Sequence, residues 1–237
     1  MKKVLNVDIP FSTTGKNFKC SCGCGPEDFQ TYYSPNIGTA FLICTKCGEK
    51  VSTIPFKYKV IALMGEAGSG KDFLLGAALK RFPEYHGIIS CTTRPPRENE
   101  KDGIHYHFLS EEEFEYRMEN NEMFEHVEFR GWYYGTGVDS LSPASINIGV
   151  FNVEGIRQLI KDPRVDLKVF WVAAAPKTRL LRQLNREKNP DVEEVIRRFR
   201  TDEEDFATVD FDYEVINNDN LTFSETLGEI QRLVWAK

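Results

Sequence analysis

The chain contains no apolar run long enough to cross a bilayer, and Met1-Lys2-Lys3-Val4-Leu5-Asn6-Val7-Asp8 is positive without the continuous apolar core of a secretory signal. It therefore reads as a cytoplasmic protein. A basic excess is lacking as well, since 30 Lys and Arg stand against 36 Asp and Glu, for a net charge of −6. General nucleic-acid or membrane-surface binding would ask for the opposite balance, so neither is expected, although local basic clusters can serve a small polyanion. There is no internal repeat. Cysteine is scarce outside one region: five of the six lie between Cys20 and Cys47, and only Cys91 stands apart. In a reducing compartment that clustering points to a metal rather than to disulfides.

What is present begins with Gly65-Glu66-Ala67-Gly68-Ser69-Gly70-Lys71-Asp72, between the apolar run Val60-Ile61-Ala62-Leu63-Met64 and the helix-forming Phe73-Leu74-Leu75-Gly76-Ala77-Ala78-Leu79-Lys80. A buried strand, a Gly-rich loop and a helix in that order read as a phosphate-binding loop. Glycines let successive N–H groups turn toward a phosphate, Lys71 reaches the β- and γ-phosphates, and the helix N-terminus adds positive potential. The position after the lysine, usually a hydroxyl that meets Mg²⁺, holds Asp72. A carboxylate is a hard oxygen ligand, so Asp72 is a candidate Mg²⁺ ligand. The plain alternative is a Gly-rich strand-to-helix turn with no ligand.

Residues 1–54 have a character of their own. Cys20-Ser21-Cys22-Gly23-Cys24-Gly25 faces Cys44-Thr45-Lys46-Cys47-Gly48, the second being a C-x-x-C-G knuckle. Two such knuckles on short strands make a tetrahedral site, and their separation suits a zinc ribbon. The first knuckle offers three thiols where two are expected: Cys20 with Cys24 has the usual spacing, and Cys22 could replace either. So short a segment cannot bury enough apolar surface to fold unaided, and structural Zn²⁺ would supply much of its stability. Free buried thiols or a reactive redox cluster are the alternatives. Phe29, Tyr32, Tyr33 and Phe41 read as the small core of this unit. Docking on the rest of the chain, dimerisation or a protein or nucleic-acid partner are its open roles.

From Ile54-Pro55-Phe56 onward the pattern alternates between strand and helix, an α/β signature for residues 55–237. Strands are predicted at Lys59 to Leu63, Gly87 to Ser90, Gly149 to Val153, Asp166 to Val172 and Tyr213 to Ile216. Helices are predicted after the phosphate loop and at Glu154 to Ile160, Pro176 to Glu187, Asp191 to Phe206 and Thr222 to Val234. A further helix opens at Ser110-Glu111-Glu112-Glu113, with serine as cap. Several of the strands are apolar throughout, as in a parallel sheet covered on both faces.

Four motifs follow the loop in order: Ser90-Cys91-Thr92-Thr93-Arg94-Pro95-Pro96-Arg97, Asp102-Gly103-Ile104-His105-Tyr106-His107-Phe108, Glu122-Met123-Phe124-Glu125 and Gly131-Trp132-Tyr133-Tyr134-Gly135-Thr136. Together they closely resemble the acceptor-binding region of guanylate kinases, and the resemblance runs from about Tyr58 to the C-terminus. It implies a P-loop parallel sheet with helices on both faces. It also implies an inserted NMP-binding subdomain near 90–140, a lid near 182–198, and transfer of a phosphoryl group from ATP to GMP or dGMP.

The residues suit that chemistry. Arg94 and Arg97, with Tyr106 and Tyr134, can clamp a dianionic phosphate. Glu125 can accept from guanine N1–H and N2–H while the hydroxyls of Ser90 and Thr136 donate to O6, and adenine would leave that carboxylate unpaired. The family's acidic D-x-D at the end of the third core strand is here Asn152-Val153-Glu154, with Glu154 the available carboxylate. This departure leaves open another or modified (deoxy)nucleoside monophosphate as acceptor. Arg179, Arg182, Arg186, Arg197, Arg198 and Arg200 flank Glu187-Lys188-Asn189-Pro190-Asp191. Of these, Arg182, Arg186 and Arg198 resemble lid arginines that neutralise the group in flight, alongside Lys71 and Arg94. Asn217-Asn218-Asp219 resembles the loop beside the donor adenine, with Asn217 as the contact. Two other classes share parts of this pattern, a guanylate-kinase-like protein-binding module and the ribose bisphosphate kinases. The retained loop argues against the first and Glu125 with Ser90 and Thr136 against the second.

Overall fold

A computed structural model describes residues 20–186, 190–206 and 210–218. The first unit is a three-stranded antiparallel sheet of β1 (Phe29–Ser34), β2 (Thr39–Cys44) and β3 (Lys50–Pro55), in the order β1-β2-β3. β2 alternates between buried and half-buried positions, with Ala40, Leu42 and Cys44 inward, so a strand of period two covers its small core on one face only.

Two residues later the chain enters β4 (Tyr58–Met64), the central strand of a parallel sheet. After β4 come α1 (Lys71–Arg81), β5 (Tyr85–Gly87), β6 (Cys91–Thr92), β7 (His107–Phe108), α2 (Glu111–Glu119), β8 (Met123–Phe129) and β9 (Trp132–Gly137). The remainder is β10 (Ile146–Val150), α3 (Val153–Lys161), β11 (Val165–Ala173), α4 (Pro176–Leu184), α5 (Val192–Phe206) and β12 (Tyr213–Ile216). The main sheet runs β12-β11-β4-β10-β5, parallel throughout. Ile61 and Leu63 of β4 pack with Leu74 and Ala78 of α1, whereas Val60, Ala62 and Met64 pack on the opposite face with Ile156 and Leu159 of α3. That is why β4 is apolar at nearly every position.

The second sheet, β7-β6-β9-β8, is the insertion. α2 closes it, with Phe114 stacked on Tyr133 at 5.4 Å and Ser110 Oγ accepting from Glu113 N at 3.1 Å as the N-cap.

Several boundaries differ from expectation. The strand expected at 87–90 occupies 85–87, and the helix expected to reach Glu187 ends at Leu184. The strand expected at 149–153 ends at Val150, because Asn152 Oδ1 accepts from Gly155 N at 2.7 Å and caps α3 at Val153. The helix expected at 222–234, Asp219 and the lid tip at 187–189 lie outside the described residues.

The small sheet is seated on the large one. Phe56 N donates to Gly38 O at 2.9 Å, and Asn121 Nδ2 donates to Asn36 O at 2.7 Å. Tyr33, Phe56, Tyr58 and Phe124 form a chain of edge-on rings at 4.8, 4.9 and 5.3 Å. Tyr33 thus belongs to the seam rather than to a core of residues 1–54 alone. Beneath it, buried Arg164 pairs with Asp162 and donates to Asn121 O and Met123 O, its guanidinium lying 4.4 Å from the Phe124 ring centre. Its stem fits under Gly38, where a Cβ would come within 2.9 Å of Arg164 Cγ.

Candidate active site and cysteine cluster

The loop of residues 65–70 joins the C-terminal end of β4 to α1. Gly70 has φ 92°, and a Cβ there would lie 2.3 Å from Asn217 Nδ2; at Gly68, with φ 80°, it would lie 2.5 Å from Arg179 O. Only glycine fits either position. Lys71 Nζ folds over the loop and donates to Gly65 O at 2.6 Å and Glu66 O at 3.1 Å. Burial pulls its pKa down, while the carboxylates of Asp72, Asp202 and Glu66 oppose that shift. Asp72 is exposed in the first turn of α1.

The back of the loop rests on α4. Arg182 Nη1 donates to Gly68 O and Ser69 O at 3.3 and 3.2 Å, and its Nη2 donates to Asn217 O at 3.1 Å. Asn217 Nδ2 returns a bond to Ser69 O at 2.7 Å. Arg179 pairs with Glu66 and lies across the Phe199 ring. From α5, Asp202 Oδ2 accepts from Ala67 N. Arg197 and Arg198 are both turned to Glu194, at 2.7 and 2.8 Å, and hold its carboxyl down to about 2. Arg186 and Arg198 line a small cavity of about 110 Å³ between α4 and α5.

On the other side of β10 lies a cavity of about 260 Å³ lined by Ser90, Tyr106, Glu125, Tyr134, Phe151 and Asn152, among others. Glu125 and Thr136 are cross-strand partners in β8 and β9, and Thr136 Oγ1 donates to Glu125 Oε1 at 2.7 Å. Glu125 is 6% exposed; burial pushes its carboxyl up to about 7 against the lowering effect of the Thr136 hydroxyl. Gly155 leaves room for it, since a Cβ there would meet Glu125 Oε2 at 2.9 Å. Arg94 pairs with Glu100 at 2.9 Å and lies 5.6 Å from the Tyr106 ring centre, while Arg97 is exposed and its backbone N donates to Glu100 Oε2.

Glu154 is not brought to this cavity. It sits in the first turn of α3, exposed, beside Arg157 at 3.6 Å and Gln158 at 3.3 Å, and Asn152 lines the wall instead. The sequence reading gave no role to Glu100, which orients Arg94, or to Asp202, which meets the loop from 135 residues away. No local pattern marks either residue.

In the first unit, the sulfurs of Cys20, Cys22, Cys44 and Cys47 lie within 4.8 Å of one another. The Cys20–Cys47 and Cys20–Cys22 distances are both 3.1 Å, and Cys22–Cys44 is 3.7 Å. Four thiolates around zinc would stand about 3.8 Å apart, so this set fits a tetrahedral ion. Cys24 Sγ is 3.0 Å from Cys22 but outside the group of four. Each knuckle turns on a left-handed glycine: Gly23, φ 82°, donates to Cys20 O, and Gly48, φ 77°, donates to Cys44 O.

A parallel sheet with a glycine loop after its central strand, an inserted second sheet and basic helices behind the loop defines a P-loop α/β domain. Within that class, the guanylate kinase family model matches residues 57–237. Guanylate kinases from Nostoc sp. and Synechococcus sp. are 35% and 38% identical over 171 and 169 residues. These matches cover 70% and 68% of this chain and 85% and 90% of those proteins. The crystal structure of guanylate kinase from Anaplasma phagocytophilum superposes with a TM-score of 0.52 at 22% identity, covering 76% of this chain and 86% of that one. The chain belongs to the guanylate kinase family.

Proposed function

We propose that this protein transfers the γ-phosphoryl group of ATP to the phosphate of GMP or dGMP. The observation that carries this reading is buried Glu125, held by the Thr136 hydroxyl, at the wall of a cavity it shares with Ser90, Tyr106 and Tyr134. A carboxylate there pairs with the two adjacent donors of guanine, and adenine would leave it desolvated and unpaired. Arg94 and Arg97, with the two tyrosines, hold the acceptor phosphate. That phosphate is already ionised, so no general base is needed, and catalysis consists of positioning and charge stabilisation. Lys71 and the loop amides take the donor phosphates, and Arg182, Arg186 and Arg198 supply positive charge to the group in flight. Asn217 borders the donor base.

Guanylate kinases act with Mg²⁺, and Asp72 is the residue we assign to hold it; the ion neutralises donor-phosphate charge. An exposed carboxylate next to Lys71 fits that ligand type. Zn²⁺ is assigned to Cys20, Cys22, Cys44 and Cys47 as a structural ion. The ring chain from Tyr33 to Phe124 supports a bracing role for the segment of residues 20–54, since Phe124 precedes Glu125.

An ADP-release assay across GMP, dGMP, AMP, dTMP and CMP tests the proposal. Turnover is expected with the guanine nucleotides. Equal turnover with AMP overturns the acceptor assignment, and no turnover with any acceptor favours the protein-binding module.

A further inference from the structure

Three carboxylates lie near the lysine of the phosphate loop, amid the cations Arg179 and Arg182. Lys71 faces Asp72, Asp202 and Glu66 together. Glu66 is ion-paired with Arg179, which sets it apart from Asp72 and Asp202. The two differ in what they do. Asp72 stands at the exposed start of α1, whereas Asp202 reaches in from α5 and accepts the amide hydrogen of Ala67. The side chains of α4 touch the loop through its carbonyls: Arg179 and Gln183 on Ala67 O, Arg182 on Gly68 O and Ser69 O. Of these side chains, only that of Asp202 takes a loop amide, and amides are what such a loop offers an anion.

We propose that Asp202 is a donor-selectivity residue, holding the Ala67 amide against a bare polyphosphate and yielding it to the metal–nucleotide complex. This rests on reading the loop as the ATP site. A metal-free nucleotide must displace the carboxylate and then lie beside it and Asp72, a repulsion between like charges that partial burial strengthens. A divalent cation carried on the nucleotide offsets that repulsion. The cost of Asp202 therefore falls on the free anion. Donor binding is also tied to α5, because the residue that gives up the amide is on that helix.

The test is titration calorimetry of the full chain with an ATP analogue bearing an imido bridge between its β- and γ-phosphates, in excess Mg²⁺ and in EDTA, without acceptor. Asp202→Asn keeps an oxygen that can accept from Ala67 and removes only the charge; Asp202→Ala removes both. Both variants are expected to bind the metal-free analogue about tenfold more tightly than the parent, with Mg²⁺-bound affinity changed less than about twofold. An unchanged ratio of the two affinities in Asp202→Asn overturns the proposal. So does a variant pair in which Asn behaves like the parent and Ala is weaker in both conditions, because that is the signature of a structural cap. If Ala fails to fold in a thermal melt, Asn alone decides. Absence of analogue binding to the parent under both conditions would overturn the ATP-site reading itself, an outcome distinct from an unchanged ratio.

Discussion

The acceptor pocket and the donor loop lie on either side of one strand, β10, and handle their charges in opposite ways. In the pocket a single carboxylate, Glu125, is buried with one hydroxyl partner, and its pKa rises to about 7. Around the loop, carboxylates are plentiful and compensated: Glu66 by Arg179, Glu194 by Arg197 and Arg198, Asp202 by an amide. Under the proposed roles, a desolvated Glu125 favours discrimination between bases, and paired charges at the loop favour exchange when nucleotide arrives. Burial sets the cost of a charge, and partners set its availability.

The sharpest way to break this contrast is to silence one side at a time. Lys71→Ala should lower kcat for GMP phosphorylation by on the order of a thousandfold while GMP binding by calorimetry is retained. Comparable loss of GMP binding would show that the two sites are not separable. Glu125→Gln should do the converse, lowering kcat/KM for GMP by about a hundredfold and collapsing the preference over AMP, with ATP-analogue binding intact.

The same residue predicts a pH effect of smaller size. Its folded pKa is raised, so its contribution to stability is present below the unfolded value of 4.5 and is lost as pH rises through about 7. Glu125→Gln should therefore be more stable than the parent at pH 8, by on the order of 3 kcal/mol in denaturant unfolding, and equal to it near pH 4. For binding the sign reverses, because guanine needs the ionised form. KM for GMP should fall about tenfold between pH 6 and pH 8 in the parent, beyond any change seen in Glu125→Gln. Parallel profiles would remove the carboxylate from the explanation.

The smallest effect belongs to the cysteine cluster. Cys44→Ser should reduce bound zinc from about one equivalent to near none by metal analysis, and lower the melting temperature by about 4–8 °C. Through the ring chain to Phe124 it should raise KM for GMP about twofold with kcat unchanged. Full zinc content in that variant would reassign the site.

Much of the fold was legible because the signals are local. The apolar run Val60 to Met64 located β4, segments rich in β-branched and aromatic residues located β11 and β12, and serine before three glutamates located α2. The acceptor pocket was legible as motifs, from Ser90 to Thr136, because each contributes a type of side chain whose chemistry narrows its role. What escaped was set by capping and by distance. Asn152 looked like part of a strand-end motif, yet its side chain caps α3, which ends β10 early and turns Glu154 away from the pocket. Cys20 with Cys24 had the familiar spacing, but the left-handed turn at Gly23 brings Cys20 and Cys22 to the knuckle of Cys44 and Cys47.

By itself, the sequence determined the phosphate loop, the class of sheet it hangs from and the order of the acceptor motifs, since these depend on residues close together and on periodicities that one strand or helix imposes. Tertiary structure decided that Glu154 stays out of the cavity that Glu125 lines, which thiols share a centre and which acid meets the loop. Ala67 and Asp202 are 135 residues apart, and an amide can choose its acceptor only once α5 has packed beside the loop.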